Sequence, residues 1–365
     1  MKVFFNGRFL SRPMTGVDRF AAETLRALDV HLGALGHAGT ANMQCELLVP
    51  PGCPKPEYDN IRVREVPGPS GQLWEQWSLW RASRAGILVS LCNTGPVLKR
   101  QQVVVIHDAT TQRVPQTFSW AFRRWYAVLL PLLGRHSQGV ATISEFSKRD
   151  IADAFGIPLH RITVLPEGAE HIQRFQADTR ILKRAGLVQR PFFLAVSSVV
   201  PHKNFGLILQ ALARANRLDF DVAIAGGSNP KVFGDGAMAH HPNVKWLGYV
   251  SNEELKALYE QAAGFVFPSL YEGFGLPPVE AMACGCPVIC SDAASMPEVC
   301  GDAALYVKPD DPDGLLAAMQ QLLDSPGLAS SLRKAGEVRV QHWTWNRAAQ
   351  ELWGLVLKVS ASSMQ

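Results

Sequence analysis

Short, continuous apolar runs separated by amphipathic stretches recur from end to end of this 365-residue chain, and that alternation constrains its fold more than any other feature. In the first half the runs fall at 2–6, 47–50, 61–66, 87–91, 103–107, 139–144 and 162–165, with helical periodicity near 16–35, 117–135 and 144–155. In the second half they are FFLAVSS (192–198), VAIAGG (222–227), VKWLG (244–248), GFVFPS (264–269), PVICSD (287–292) and ALYV (304–307). Helical patterns separate most of these, near 203–216, 252–262, 277–284 and 311–324. A strand that is apolar throughout is buried on both faces, and the intervening helices supply its cover, so the pattern predicts parallel sheets. At roughly 150 residues per domain the length suits two such units. They are expected to meet around 170–190, where EGAEHIQRFQADTRILKRAGLVQRP is polar, weakly periodic and closed by Pro191. Ligands of doubly wound sheets bind beyond the carboxyl ends of the strands, and two such domains facing each other would enclose a cleft.

Composition removes other classes. Hydrophobic residues make up 47% and charged ones 19%, which builds cores and excludes disordered or fibrous chains. No run approaches the ~18 uninterrupted apolar residues of a membrane span. The opening MKVFFNGRFLSRP places Arg8 and Arg12 where a secretory signal would stay apolar, so it reads as a strand and a loop. Seven cysteines suit a reduced, cytoplasmic setting. Cys284, Cys286 and Cys290 lack the paired spacing of a zinc site, and no metal is expected. Residues 1–175 carry 20 Lys and Arg against 14 Asp and Glu, while the remainder carries 16 against 18. A basic first half points to an anionic partner, and without a basic run or an RNP-like motif nucleic acid is not that partner.

The chemistry concentrates in FPSLYEGFGLPPVEAMACGCPVICSD, residues 267–292. A strand ends near Pro268, a loop carries Gly273 and Gly275, and a helix begins at Pro277 and Pro278, where missing N–H groups cost nothing. Gly285 stands where a helix C-cap belongs. Gly275 and Leu276 therefore precede a helix N-terminus, where free N–H groups and the helix dipole favour an anion such as phosphate. Glu280 could accept from two adjacent sugar hydroxyls, or merely complement the dipole; Glu272 could face the phosphate, or be a solvated loop charge.

Glu272 and Glu280 are separated by seven residues, and this E-x7-E segment resembles that of the retaining nucleoside-diphosphate-sugar glycosyltransferases of family 4. SSVVPHKNFGLILQAL (197–212) is similar to their donor-phosphate loop and helix. VAIAGG, VKWLGYVSNEEL and MPEVCGDAALYVKPDDPDGL follow in the family's order, and WTWNRAAQELWGLVL resembles its closing helix. TGVDRFAAETLRAL, VVVIHD and ATISEFSKRDI extend the likeness through the first half.

The resemblance implies the GT-B fold: two Rossmann-like domains facing across a deep cleft, with the C-terminal helix returning toward the first. Residues 1–175 would bind acceptor, 176–343 the nucleotide sugar, and 344–365 would form the closing helix and tail. It implies that Glu280 holds the donor ribose, Glu272 the donor sugar, and Lys203 the diphosphate. Gly275 and Leu276 would offer N–H groups to that diphosphate, and Gly16 would belong to the first-domain loop near it. His107, ending VVVIH, would sit near the transferred sugar as a catalytic residue. The chain departs from the family at Ser198 or Val199, where many members have an arginine, leaving Ser198 as a hydroxyl donor to the donor phosphates; Glu167-Gly168 replaces the usual Asn-Gly. No cofactor or metal is implied beyond the nucleotide-sugar donor itself. Paired carboxylates allow Glu272 to be a nucleophile; the family's donor geometry implies positioning, and positioning is the reading taken.

Likeness to polysaccharide and O-antigen mannosyltransferases implies mannose from GDP-mannose as donor, with UDP-linked hexoses as the alternative. The acceptor would be a glycan or a polyprenyl-diphosphate-linked oligosaccharide. The basic-aromatic stretches 73–84 and 118–137 are expected either to pack in the core or to rest on an anionic bilayer, which would make this a peripheral enzyme at the cytoplasmic face of the inner membrane. An epimerase-like or non-catalytic sugar-binding protein on the same fold competes with the transferase reading. A dehydrogenase is excluded, because AIAGGSNP lacks the dinucleotide fingerprint.

Overall fold

The computed structural model describes residues 1–36, 43–198, 200–215, 217–227 and 241–362. Val199 lies outside the described residues. The chain divides into two compact units, Met1–Glu167 with Trp345–Gln365, and Gly168–Thr344.

Among the described residues unit 1 is built on seven parallel strands: β1 (Lys2–Asn6), β2 (Gln44–Val49), β3 (Arg62–Glu65), β4 (Ile87–Ser90), β5 (Gln102–Val105), β6 (Gly139–Thr142) and β7 (Ile162–Val164). Their order is β3-β2-β1-β4-β5-β6-β7, so the chain reverses direction of growth between β1 and β4. Val3 to Phe5 pair in register with Ile87 to Val89 across that seam. β4, β5 and β6 are buried at every position, as continuous apolar strands require. Helices α1 (Gly16–Ala34), α2 (Trp120–His136) and α3 (Glu145–Phe155) cover the sheet together with α9 (Trp345–Ser362), the last helix of the chain, which packs on α1 and belongs to this unit. Phe20 of α1 meets Trp345 edge to face at 6.0 Å.

Among the described residues unit 2 has six parallel strands, β8 (Phe192–Val196), β9 (Asp221–Ala225), β10 (Val244–Gly248), β11 (Gly264–Phe267), β12 (Val288–Ser291) and β13 (Ala304–Val307), ordered β10-β9-β8-β11-β12-β13. Here the switch lies between β8 and β11. Its longer helices are α4 (Phe205–Ala213), α5 (Asn252–Gln261), α6 (Leu276–Ala283), α7 (Pro312–Asp324) and α8 (Pro326–Val340). Phe193, Ile224, Val266 and Ile289 of the sheet pack with Phe205, Ile208, Leu212 and Met319 in one buried cluster. Each such side chain contributes roughly 1.5–3 kcal/mol through burial. Local signals agree with this packing. Ser251 and Glu254 form a reciprocal capping box on α5, Asp311 caps α7 through Gly314 N–H, and Gly285, at φ 68°, follows the end of α6.

The division between the units falls at Glu167, ahead of the expected boundary at 175. The segment read as a linker is not one at its start: its 3₁₀ turn, Glu170–Arg174, buries His171 and Ile172, and His171 is bonded within unit 2. Polar composition misled here because the buried polar group has a polar partner, which periodicity does not register.

Candidate functional site

Both carboxyl ends that flank the unit 2 switch point carry charge. After β8 the chain passes exposed Ser198 and a 3₁₀ turn, Pro201–Lys203, to Lys203. After β11 it passes Pro268 to the loop bearing Glu272. Lys203 Nζ and Glu272 Oε1 are 2.6 Å apart, with side chains 17% and 12% exposed. Lys203 Nζ also stands 5.8 Å from the centre of the Phe267 ring. This charge-assisted bond is short, mostly buried and at the site where open α/β sheets take ligands.

Three side chains that the sequence reading did not single out hold these loops. Asn204, in the left-handed region at φ 58°, donates from Nδ2 to the carbonyls of Pro268 (3.1 Å) and Pro309 (2.8 Å), tying together the chain ends beyond β11 and β13. Buried Ser295 donates to both Glu272 O (3.0 Å) and Phe274 O (2.8 Å), fixing the turn between the two glutamates. Ser291, in β12, donates to Ser269 O at 2.5 Å. No local pattern distinguishes such serines from ordinary turn residues; asparagine at 204, a residue type that tolerates positive φ, is the one signal the sequence offers.

Gly275 is the N-cap of α6, at φ 106°, and a Cβ there would lie 2.3 Å from Met296 Cε. Glycine is favoured by the backbone angle, and a side chain would also have to displace the end of Met296. Gly275 and Leu276 are both buried. Because Pro277 and Pro278 follow, the helix entrance keeps the N–H of Leu276 and lacks the next two donors.

Glu280 lies on the same helix in different surroundings. It is 5% exposed, and each carboxylate oxygen is engaged: His171 Nε2 lies 2.8 Å from Oε1, and the Tyr259 hydroxyl donates to Oε2 at 3.0 Å. Burial, and then the charge of Glu280, push the Tyr259 phenol well above its usual range, so it remains a donor. His171 and Tyr259 went unnoticed in the sequence, the first because it lies in the supposed linker, the second because an aromatic on a helix face reads as core.

In unit 1, Gly16 opens α1 after Thr15, where Asp18 accepts from Thr15 N–H at 3.0 Å and is clasped by Arg12. A Cβ on Gly16 would meet nothing within 4 Å. His107 follows β5. Its backbone N–H donates to Asn93 Oδ1 at 2.7 Å, its Nε2 lies 2.8 Å from Leu91 O, and its ring meets Phe20 edge to face. Burial lowers its pKa, outweighing the Leu91 carbonyl and the nearby Asp108 and Asp18, so the ring is neutral near pH 7 with its proton on Nε2. Nδ1 faces Glu167 Oε1 at 3.9 Å. The structure thus gathers Lys203 and Glu272 in one contact, keeps Glu280 in a separate buried cluster, and holds His107 and Gly16 in unit 1.

All seven cysteines are free. Burial pushes the Cys284 thiol up to about 12 and Cys286 further still, so both remain protonated. Among the described residues no group of three or more His, Cys, Asp or Glu could hold a metal ion, and no helix is long and apolar enough to cross a membrane.

Residues 179–339 match the family model described as glycosyl transferases group 1. The chain is similar to O-antigen chain mannosyltransferase B of Escherichia coli, with 33% identity over 222 residues, 58% of this chain and 58% of that protein's length. It is also similar to O-antigen chain mannosyltransferase RfbU of Salmonella typhimurium, 29% identical over 271 residues that cover 71% of this chain and 72% of the relative. Among solved structures, sucrose-phosphate synthase from Thermosynechococcus elongatus superposes with a TM-score of 0.76 at 18% identity, covering 99% of both chains, which shows the shared two-domain α/β fold.

Proposed function

We propose that this chain, whose residues 179–339 match the family model described as glycosyl transferases group 1, transfers a hexose from a nucleotide sugar to a glycan or polyprenyl-diphosphate-linked acceptor, with retention at the anomeric carbon. The observation that carries the reading is the Lys203–Glu272 pair at the switch point of unit 2. Departure of a nucleoside diphosphate leaves negative charge on phosphate and positive charge on the sugar ring. A lysine and a carboxylate at one strand-end pair meet those two charges, in the manner of preorganised electrostatic stabilisation. Lys203 would turn from Glu272 to the diphosphate, joined by the N–H groups of Gly275 and Leu276 and by the Ser198 hydroxyl, and Glu272 would then be released to the sugar hydroxyls. Glu280 takes the ribose, and Gly16 lies on the first-domain loop near the phosphates. The mannosyltransferase names of the relatives favour GDP-mannose as donor. The chemistry assigned to these residues needs no metal ion.

The reading is tested by thermal-shift titration with GDP, UDP, ADP and NAD. A ligand at ~100 times its dissociation constant adds about 2.7 kcal/mol. Stabilisation by GDP alone supports GDP-mannose, stabilisation by UDP changes the sugar, and stabilisation by NAD alone or by none overturns the transferase reading. In turnover, Glu272→Ala and His107→Ala are expected to lower kcat, and Glu280→Ala to raise the donor KM. Normal kcat in both of the first two variants refutes their assignment.

The first turns of α2 favour a membrane-surface partner for unit 1. Trp120 is 70% exposed, Phe122, Trp125 and Val128 are exposed around it, and Arg123 and Arg124 lie between them. No Asp or Glu occurs from residue 109 to residue 144. An apolar-aromatic helix with only positive charge matches the interface of an anionic bilayer. Flotation with phosphatidylglycerol vesicles is expected to carry the protein and to leave a Trp120→Ala, Trp125→Ala double variant behind.

A further inference from the structure

Glu280 is the single ionisable residue of α6, whose Leu276, Pro278, Val279, Ala281 and Met282 are all buried. A helix that had only to pack would do better with an apolar residue there, because a desolvated carboxylate costs several kcal/mol unless it is fully bonded. Its hydrogen-bond partners among the described residues are His171 and Tyr259, one on each oxygen. An ionised carboxylate offers about four acceptor directions, so two are filled and one on each oxygen remains. The partners are far apart in the unit's sequence: His171 comes from the 3₁₀ turn near its start, Tyr259 from α5 near its middle. Both are wholly buried and both are donors against a carboxylate.

We infer that His171 and Tyr259 are positioning residues which hold the Glu280 carboxylate in one orientation, leaving its two remaining acceptor directions side by side for a vicinal diol. This rests on the reading that Glu280 receives the ribose of the donor. A carboxylate free to rotate would lose side-chain entropy when it bound the diol; one clamped on both oxygens has already lost it. Recognition of the 2′- and 3′-hydroxyls is therefore preorganised by a residue from the segment that leads into unit 2.

The test compares the affinity of the full chain for GDP and UDP with that for their 2′,3′-dideoxy counterparts. The wild type is expected to favour the ribonucleotide by tenfold or more, the scale of one to two charge-assisted hydrogen bonds. Glu280→Ala should abolish the preference. Tyr259→Phe, which removes one hydroxyl and keeps the ring, and His171→Ala should each reduce the preference several-fold while leaving dideoxynucleotide affinity unchanged; His171→Gln, which retains a donor, should recover part of it. A purely structural role would lower both affinities together. Should His171→Ala fail to fold, Tyr259→Phe decides. If Glu280→Ala loses the preference while Tyr259→Phe and His171→Ala keep it, the positioning inference is overturned and the ribose reading stands. A wild type with no preference removes the ribose reading and the inference with it.

Discussion

The two sheets share the same strand order at their switch points, yet use the charges there in opposite ways. In unit 2, Lys203 follows the first strand and Glu272 the fourth, and their pair is partly open to solvent. In unit 1, Arg8 follows β1 and reaches Glu75 at 3.2 Å, but that carboxylate is 0% exposed. Glu75 Oε1 also accepts from Asn6 Nδ2 at 2.6 Å and from Thr94 Oγ1 at 3.0 Å, and Arg8 Nη2 donates to Thr94 Oγ1 at 2.8 Å. Glu75 Oε2 is buried without a hydrogen-bond partner among the described residues. It stands on a π-helical turn, Trp74–Leu79, which rotates the glutamate inward beside fully buried Trp74. Each switch thus holds a cation–carboxylate pair whose cation is similarly exposed, 16% for Arg8 and 17% for Lys203; the pairs differ in the carboxylate, which in unit 1 is a bolt within the fold and in unit 2 is 12% exposed. Topology locates charge, and burial decides whether that charge can serve a ligand.

The largest expected effect comes from breaking the bolt. Glu75→Ala leaves Arg8, Asn6 and Thr94 facing a cavity, and denaturant unfolding should show a loss of about 3–5 kcal/mol, the scale for removing one partner of a buried ion pair. Gly275→Ala comes next: a side chain at φ 106° is strained even if Met296 moves, and about 1–3 kcal/mol should be lost. Lys203→Ala should cost less, about 1–2 kcal/mol, between the limits for exposed and buried pairs. A Lys203→Ala, Glu272→Ala double variant should recover part of that loss in a double-mutant cycle. A cost for Lys203→Ala equal to that for Glu75→Ala would erase the contrast between the switch points.

The smallest effect is a pH dependence. His107 has its pKa lowered in the folded state, so the unfolded chain binds the proton more readily. Its contribution is fully present above the unfolded value of about 6.5 and is lost as pH falls below it. Melting temperature should therefore fall on acidification below about pH 6.5, and a His107→Gln variant should fall less steeply.

Much of this was written in local pattern. Apolar runs mark most of the strands among the described residues, because a strand buried on both faces is largely apolar along its length; β3, Arg62–Glu65, at the sheet edge, has no buried residue. Proline at the helix entrance, glycine at its exit and the capping residues bound the helices, since each meets a backbone need within a few residues. The E-x7-E segment and Lys203 were visible as residue types at fixed spacing. Tertiary structure alone decided which of these charges touch. Glu272 and Lys203 are 69 positions apart and His171 and Glu280 are 109 apart, so neither pairing has a local signature. The same holds for Ser295, whose function is to bind carbonyls that the fold brings to it, and for the polar segment after Glu167, which looked like a tether. Periodicity reports how a residue faces its own sheet or helix; it carries no information about the partner that arrives from elsewhere, and for buried polar groups that partner determines whether the residue holds the fold or serves a ligand.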